Sequence, residues 1–313
     1  MRIDVLDDYQ RVAHRFADWS RLAEHEVTFF HEPLDDVAAA LEPFDVVCAM
    51  RERTAFPAEL FDRLPNLRLL VTTGRRNAAI DLGAAAKHDV IVSGTDVPGL
   101  STAELTWGLI LALARNIPTD VRNMHEGAWQ TTVGIDLAGR TLGIVGLGRL
   151  GSAMARYGKA FDMRLVAWSQ NLTAERCLEC GAELVTKDEL LSTADVVTIH
   201  LVLSGRTRGL IGTPELELMK PTAFLVNTSR GPIVDEAALV AALGAGTIGG
   251  AALDVYDREP LPADHPLRRA PNAVLTPHLG YVTEDTFRVF YGQTVEDIEA
   301  WLAGEPVRLL SSK

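Results

Sequence analysis

Residues 141–169 read TLGIVGLGRLGSAMARYGKAFDMRLVAWS, and this stretch decides the fold. Leu142 to Val145 is an apolar run of strand length, Gly146 to Gly151 (GLGRLG) turns into a helix, and Leu165 to Trp168 is a second strand. Gly146 permits the tight turn, Gly148 lets an anion approach the backbone, and Gly151 lets the helix pack close to the strand. Free amides at the start of the helix, where Arg149 and Leu150 also lie, then face a pyrophosphate. The stretch predicts a dinucleotide site.

A carboxylate about 20 residues beyond such a turn usually holds the ribose 2′-hydroxyl of NAD. Here the second strand runs into Trp168, Ser169, Gln170 and Asn171, so nothing acidic repels a 2′-phosphate, and nothing basic follows until Arg176. Ser169 is expected to meet the ribose, and the coenzyme is read as NAD or NADP.

Outward from this unit, strands and helices alternate. Apolar runs at Arg2 to Leu6, Val46 to Ala49, Leu69 to Thr72, Val90 to Ser93, Val196 to His200, Ala223 to Asn227, Gly250 to Leu253 and Ala273 to Leu275 join the two already named. The class is therefore α/β, with two Rossmann-like, doubly wound parallel-sheet domains. The clamp begins near the middle of the chain, so a separate domain precedes it. STAELTWGLILALARNI (Ser101 to Ile117) reads as one long helix capped by Ser101 or Thr102, too apolar for a one-sided surface helix and expected to be buried by domain packing or a second subunit. A last helix, Thr283 to Leu302, is expected to carry the chain back to the first domain. The boundaries are then 1–98 and 283–313 for a discontinuous substrate-binding domain and 99–282 for the dinucleotide-binding one.

Composition limits the function classes. The 313 residues carry a net charge of −12, which repels nucleic acid and anionic membrane surfaces alike. No apolar run approaches the roughly 20 residues of a membrane span, and MRIDVLDDY reads as a strand, not a signal peptide. Cys48, Cys177 and Cys180 read as reduced structural thiols in a cytoplasmic protein; the C-x-x-C pair has no further ligands to make a metal site.

Two segments supply chemistry. NTSRGPIVDEAAL (Asn227 to Leu239) places Arg230 after an apolar strand, where a guanidinium can hold a carboxylate in a fork and polarise a carbonyl. DVYDREP (Asp254 to Pro260) and TPHLG (Thr276 to Gly280) add Glu259 and His278. An imidazole at a strand end can give and take a proton, and a neighbouring carboxylate favours its charged form.

With these motifs in order and spacing, and GIDLAGRTLGIVG leading into the clamp, the chain resembles the NAD(P)-dependent D-2-hydroxyacid dehydrogenase family over nearly its whole length. The resemblance implies Arg230, Glu259 and His278 as the catalytic set, a homodimer, and hydride transfer between NAD(P)H and a small-molecule 2-oxo or 2-hydroxy acid. It implies coenzyme contacts from His200, Thr207, Thr228, Ser229, Asp254 and Gly280, with Asp254 beside the nicotinamide. It also implies a substrate-carboxylate loop at Gly74, although TTGRRN places Arg75 and Arg76 where small residues are common and Val202 replaces a usual proline. Arg51 and Arg53 in MRERT follow a neighbouring strand, so the four arginines are expected to form an anion pocket suited to a second carboxylate or a phosphate. A coenzyme-sensing binding protein and a formate- or phosphite-type dehydrogenase are the alternatives.

Overall fold

Every paired strand among the described residues runs parallel to its neighbours. The computed structural model describes residues 1–311; Ser312 and Lys313, the end of the expected 283–313 segment, lie outside the described residues. The chain divides into two units, Met1–Gly99 with the segment from Val282 onward, and Leu100–Tyr281.

The first unit holds β1 (Arg2–Val5), β2 (Glu26–Phe29), β3 (Val46–Ala49), β4 (Leu69–Thr72) and β5 (Ile91–Gly94) in the order β2-β1-β3-β4-β5. The second holds β6 (Thr141–Val145), β7 (Arg164–Trp168), β8 (Glu183–Leu184), β9 (Val196–Ile199), β10 (Phe224–Asn227), β11 (Gly250–Leu253) and β12 (Ala273–Leu275) in the order β12-β11-β10-β9-β6-β7-β8. Both sheets are covered on both faces, which is why their central strands are continuous apolar runs. Along β9, Val197 and Ile199 join one core while Val196 joins the other, as the two-residue period of a strand requires.

Two strands escaped the sequence reading, β2 and β8, and both are edge strands. Neither is fully buried, so neither needs the apolar run that marks a central strand. The long helix also differs from expectation. It spans Ser101–Ala114 and starts after Leu100, whose side chain has no acceptor to cap it, while Thr102, inside the first turn, donates its hydroxyl to the Gly280 carbonyl at 3.0 Å. It stops before Asn116, whose φ of 52° is left-handed, and a second helix, Ile117–His125, begins there.

The last helix, Glu284–Leu302, is capped by Thr283 and buries Phe287, Phe290, Tyr291 and Ile298 in the first unit. The chain then turns beside β5, where Gly94 N donates to Arg308 O at 2.9 Å and Leu310 N to Val92 O at 2.8 Å. Arg308 Nε donates to Asp297 at 2.7 Å. Burial pushes the Asp297 carboxyl up from 3.8 to about 6, and the charge and hydrogen bond of Arg308 offset only part of that cost. Between those two values the native state holds a proton that the unfolded chain releases, so stability falls as pH rises through the window, by on the order of 3 kcal/mol in all. Melting curves of the parent and Asp297→Asn should show the parent losing ground between about pH 4 and 6.5 and no further change above. A pH-independent difference would mean that folding does not shift the Asp297 carboxyl.

Candidate active site

Because β6 and β9 are neighbours but not consecutive, the chain reverses direction across the second sheet between them, and a crevice opens at their carboxyl ends. The GLGRLG turn leaves β6 at this point. Gly146 has a φ of +99°, and a Cβ on it would lie 2.6 Å from His200 O. A Cβ on Gly151 would collide with Gly146 O. Both glycines are therefore demanded by the protein's own packing. Gly148 is not: its φ is −78° and a Cβ there would meet nothing within 4 Å. Its small size leaves open space in front of the first turn of the Arg149–Ala160 helix, which fits a pyrophosphate. Arg149 is exposed, and Leu150 and Ser169 are half-buried.

His200, the residue after β9, has Nε2 2.9 Å from Thr198 Oγ1 and Nδ1 enclosed without a partner. Burial lowers its pKa to about 4, so it is neutral at ordinary pH. Thr207 spends its hydroxyl on its own loop, accepting from Ser204 N at 2.8 Å. Thr228 and Ser229 are buried and brace the loop ends, Thr228 against Thr106 at 2.7 Å and Ser229 against Ile199 O at 2.7 Å.

Arg230 follows directly. Asn227 Nδ2 donates to Arg230 O at 2.9 Å, and Arg230 Nη1 donates to Ser229 O at 2.7 Å. Glu259 and His278, far apart in sequence, meet: His278 Nδ1 lies 2.5 Å from Glu259 Oε2, and Glu259 Oε1 accepts from Tyr256 N at 3.0 Å. The His278 ring also stands edge-on to Tyr281, with centroids 5.5 Å apart. With Nδ1 engaged, Nε2 is the nitrogen left for proton exchange.

Asp254 does more than expected. It is fully buried, and its two oxygens accept from Thr276 Oγ1 at 2.6 Å, Leu279 N at 2.7 Å and Gly280 N at 2.8 Å, so its carboxylate grips the segment that presents His278. Burial raises its pKa, while those bonds and the nearby imidazole lower it.

In the first unit the four arginines do not form one pocket. Arg75 pairs with Asp96 at 2.8 Å, and Arg53 donates to Asp7 O at 3.0 Å while lying over the Tyr9 ring. Arg76 is exposed. Arg51 reaches the Gly74 loop from the end of β3: Nη1 donates to Thr73 O at 3.1 Å, Nε lies 3.6 Å from Glu52 Oε2, and a Cβ on Gly74 would strike the guanidinium. Gly74 has a φ of +102°, and its amide donates to Thr95 Oγ1 at 2.9 Å.

Residues 107–280 match the family model described as D-isomer specific 2-hydroxyacid dehydrogenase, NAD binding domain. Among curated relatives, the glyoxylate reductase of Aeropyrum pernix is 40% identical over 79% of this chain and 77% of its own length. The D-3-phosphoglycerate dehydrogenase of Archaeoglobus fulgidus is 39% identical over 83% of this chain. The chain belongs to the D-isomer specific 2-hydroxyacid dehydrogenase family. The matched region spans only 50% of that phosphoglycerate dehydrogenase. The phosphoglycerate oxidoreductase structure from Vibrio cholerae O395 superposes with a TM-score of 0.92 at 35% identity, covering 97% of this chain and 99% of that one.

Within this family member, two residues of the site region were missed by sequence reasoning. Glu236 accepts from Asp257 N at 2.8 Å, and His265 lies 3.4 Å from Glu236. The acid after Asp235 in VDEAAL was visible, but nothing in the linear order joins it to a loop 21 residues away.

The glycine geometry separates packing from binding. Gly148→Ala should melt within a few degrees of the parent yet bind coenzyme at least tenfold more weakly in a fluorescence titration, whereas Gly151→Ala should lower the melting temperature outright. Unchanged coenzyme affinity in Gly148→Ala would remove this glycine from the binding surface.

Proposed function

We propose that the protein transfers a hydride between NAD(P)H and a small 2-oxo acid, giving a D-2-hydroxy acid, or runs the reverse reaction. The observation that carries this reading is the 2.5 Å contact between His278 and Glu259 at the strand ends that also carry the glycine clamp and Arg230. Gly146, Gly148 and Gly151, with the amides of the Arg149–Ala160 helix, would hold the coenzyme pyrophosphate, and Ser169 the ribose. The coenzyme supplies the hydride to the carbonyl carbon. Arg230 binds the substrate carboxylate and draws electron density toward the carbonyl oxygen. His278 Nε2 gives that oxygen its proton, and Glu259 holds Nδ1 so that the ring faces one way and its positive charge is stabilised. In the oxidative direction the neutral ring takes the proton back.

Arg51, held on Thr73 O beside Gly74 and 3.6 Å from Glu52 Oε2, is the residue of the first unit proposed to meet an anionic group. We also propose a cytoplasmic setting, in keeping with cysteines used as buried packing residues at Cys48 and Cys177. A homodimer is supported by the Ile117–His125 helix, where Ile117, Val121 and Met124 form an exposed apolar stripe next to Trp129 and Val133, themselves 74% and 93% exposed. A second copy of the chain covering this stripe should sediment as a dimer, and Val121→Asp with Met124→Asp should sediment as a monomer.

A spectrophotometric screen of glyoxylate, hydroxypyruvate, phenylpyruvate and oxaloacetate with NADH and NADPH tests the activity. His278→Ala should lower kcat by about 100-fold or more with coenzyme affinity kept, since general acid catalysis contributes about two to four decades. Arg51→Ala should raise KM for oxaloacetate and leave that for phenylpyruvate nearly unchanged. Coenzyme binding with no turnover across the panel would favour a coenzyme-sensing protein instead.

A further inference from the structure

The loop from Asp254 to Pro260 carries Glu259 and has no regular structure of its own, so something outside it must fix the carboxylate opposite His278. Three contacts do so. Gly231, next to Arg230, packs so closely on the Tyr256–Asp257 peptide that a Cβ would collide with it. The Tyr256 hydroxyl reaches across to Thr276 O at 2.9 Å, tying the loop to the strand end before His278. The third contact is Glu236, the first residue of the Glu236–Ala245 helix, whose Oε1 accepts from Asp257 N at 2.8 Å.

Consecutive amides are thus held by two different carboxylates, Tyr256 N by Glu259 and Asp257 N by Glu236. Glu236 is well placed for this because its backbone is rigid: Asp235 caps the helix by accepting from Ala238 N at 2.9 Å. Its second oxygen faces His265 Nε2 at 3.4 Å, which keeps the side chain turned toward the loop. The position is costly for an acid. Burial raises the Glu236 carboxyl, and the charges of Asp257 and Glu259 raise it further, with the Asp257 amide and His265 working the other way. A half-buried acid beside two like charges persists where its hydrogen bonds are needed.

We propose that Glu236 is a positioning residue for catalysis, holding the Tyr256–Asp257 turn so that Glu259 reaches His278. The inference rests on the reading of His278 and Glu259 as the proton-transfer pair. What matters in it is the reach of an acceptor oxygen, not the charge that comes with it.

The test uses three full-length variants. Glu236→Gln keeps an acceptor at the same reach and loses the charge, Glu236→Asp keeps the charge and withdraws the oxygen by one methylene, and Glu236→Ala removes both. Expected are a kcat within about twofold of the parent for Gln, a fall of about tenfold or more for Asp and Ala, and KM values for coenzyme and substrate within about threefold throughout. Amide exchange followed by mass spectrometry should be faster across residues 254–260 in Asp and Ala but not in Gln. Parent-like kcat in Glu236→Asp, or equal losses in Gln and Asp, would overturn the proposal, and so would unchanged exchange in this loop. A parent that turns over no 2-oxo acid would refute the functional reading itself, and the exchange comparison would still decide whether Glu236 holds the loop.

Discussion

The constraint on which the rest of the second unit depends is that its seven strands all point one way. A parallel strand must return by a crossover, so every carboxyl end in the sheet lies on one rim, and the return paths run over the faces to the opposite rim. Four segments spread over 135 positions of chain, from Gly146 to Gly280, are thereby delivered to a single rim. A glycine turn leaves β6, an arginine follows β10, an acid-bearing loop follows β11 and an imidazole follows β12. Bringing such groups together with antiparallel hairpins would place alternate loops on opposite edges.

Delivery to the rim is not orientation, and a small set of buried polar groups performs that second task. Asp254 carries the largest share. A fully buried carboxylate costs several kcal/mol unless it is hydrogen-bonded, and this one accepts three bonds from the five residues that include His278. Removing it would leave two backbone amides and a hydroxyl without their partner, so the energetic penalty and the loss of His278 geometry are the same event. Glu259 and Glu236 extend this pattern along the adjacent loop. His200 shows the other outcome of burial: with no carboxylate beside it and one nitrogen enclosed, its ring stays neutral, and its contribution is to fill the strand end next to the Gly146 turn.

The first unit organises its loop differently. The Gly74 amide is tied to Thr95, and Gly94 lies so near the Gly74 carbonyl that a Cβ there would come within 2.7 Å of it. That pair is held from behind by the carboxyl-terminal segment, whose Arg308 carbonyl accepts from Gly94 N. The segment around Arg308 therefore supports a loop formed more than 200 positions earlier, and the Arg308–Asp297 ion pair fixes it to the final helix. Arg75, expected in an anion pocket, faces this same support by pairing with Asp96, which in turn is held by Gln293.

Sequence alone determined the layered α/β class and ten of the twelve strands among the described residues, and it supplied the candidate residue types of the site, because each of these is a local pattern. Buried parallel strands must be apolar runs, a pyrophosphate turn needs small residues at set spacing, and acid, base and cation have few alternatives among side chains. The edge strands β2 and β8 left no such mark, since a strand half in water has no need of one. Only the tertiary structure decided which polar groups meet. Arg51, Arg53 and Arg75 look alike as arginines following strand ends, yet one lies on the Gly74 loop and two are drawn off by Tyr9 and Asp96. Asp254, expected as a coenzyme contact, and Glu236, which no motif singled out, take their work from the backbone amides that lie within about 3 Å of them. Hydrogen bonds are satisfied in space, and the sequence lists the partners without saying which will be adjacent.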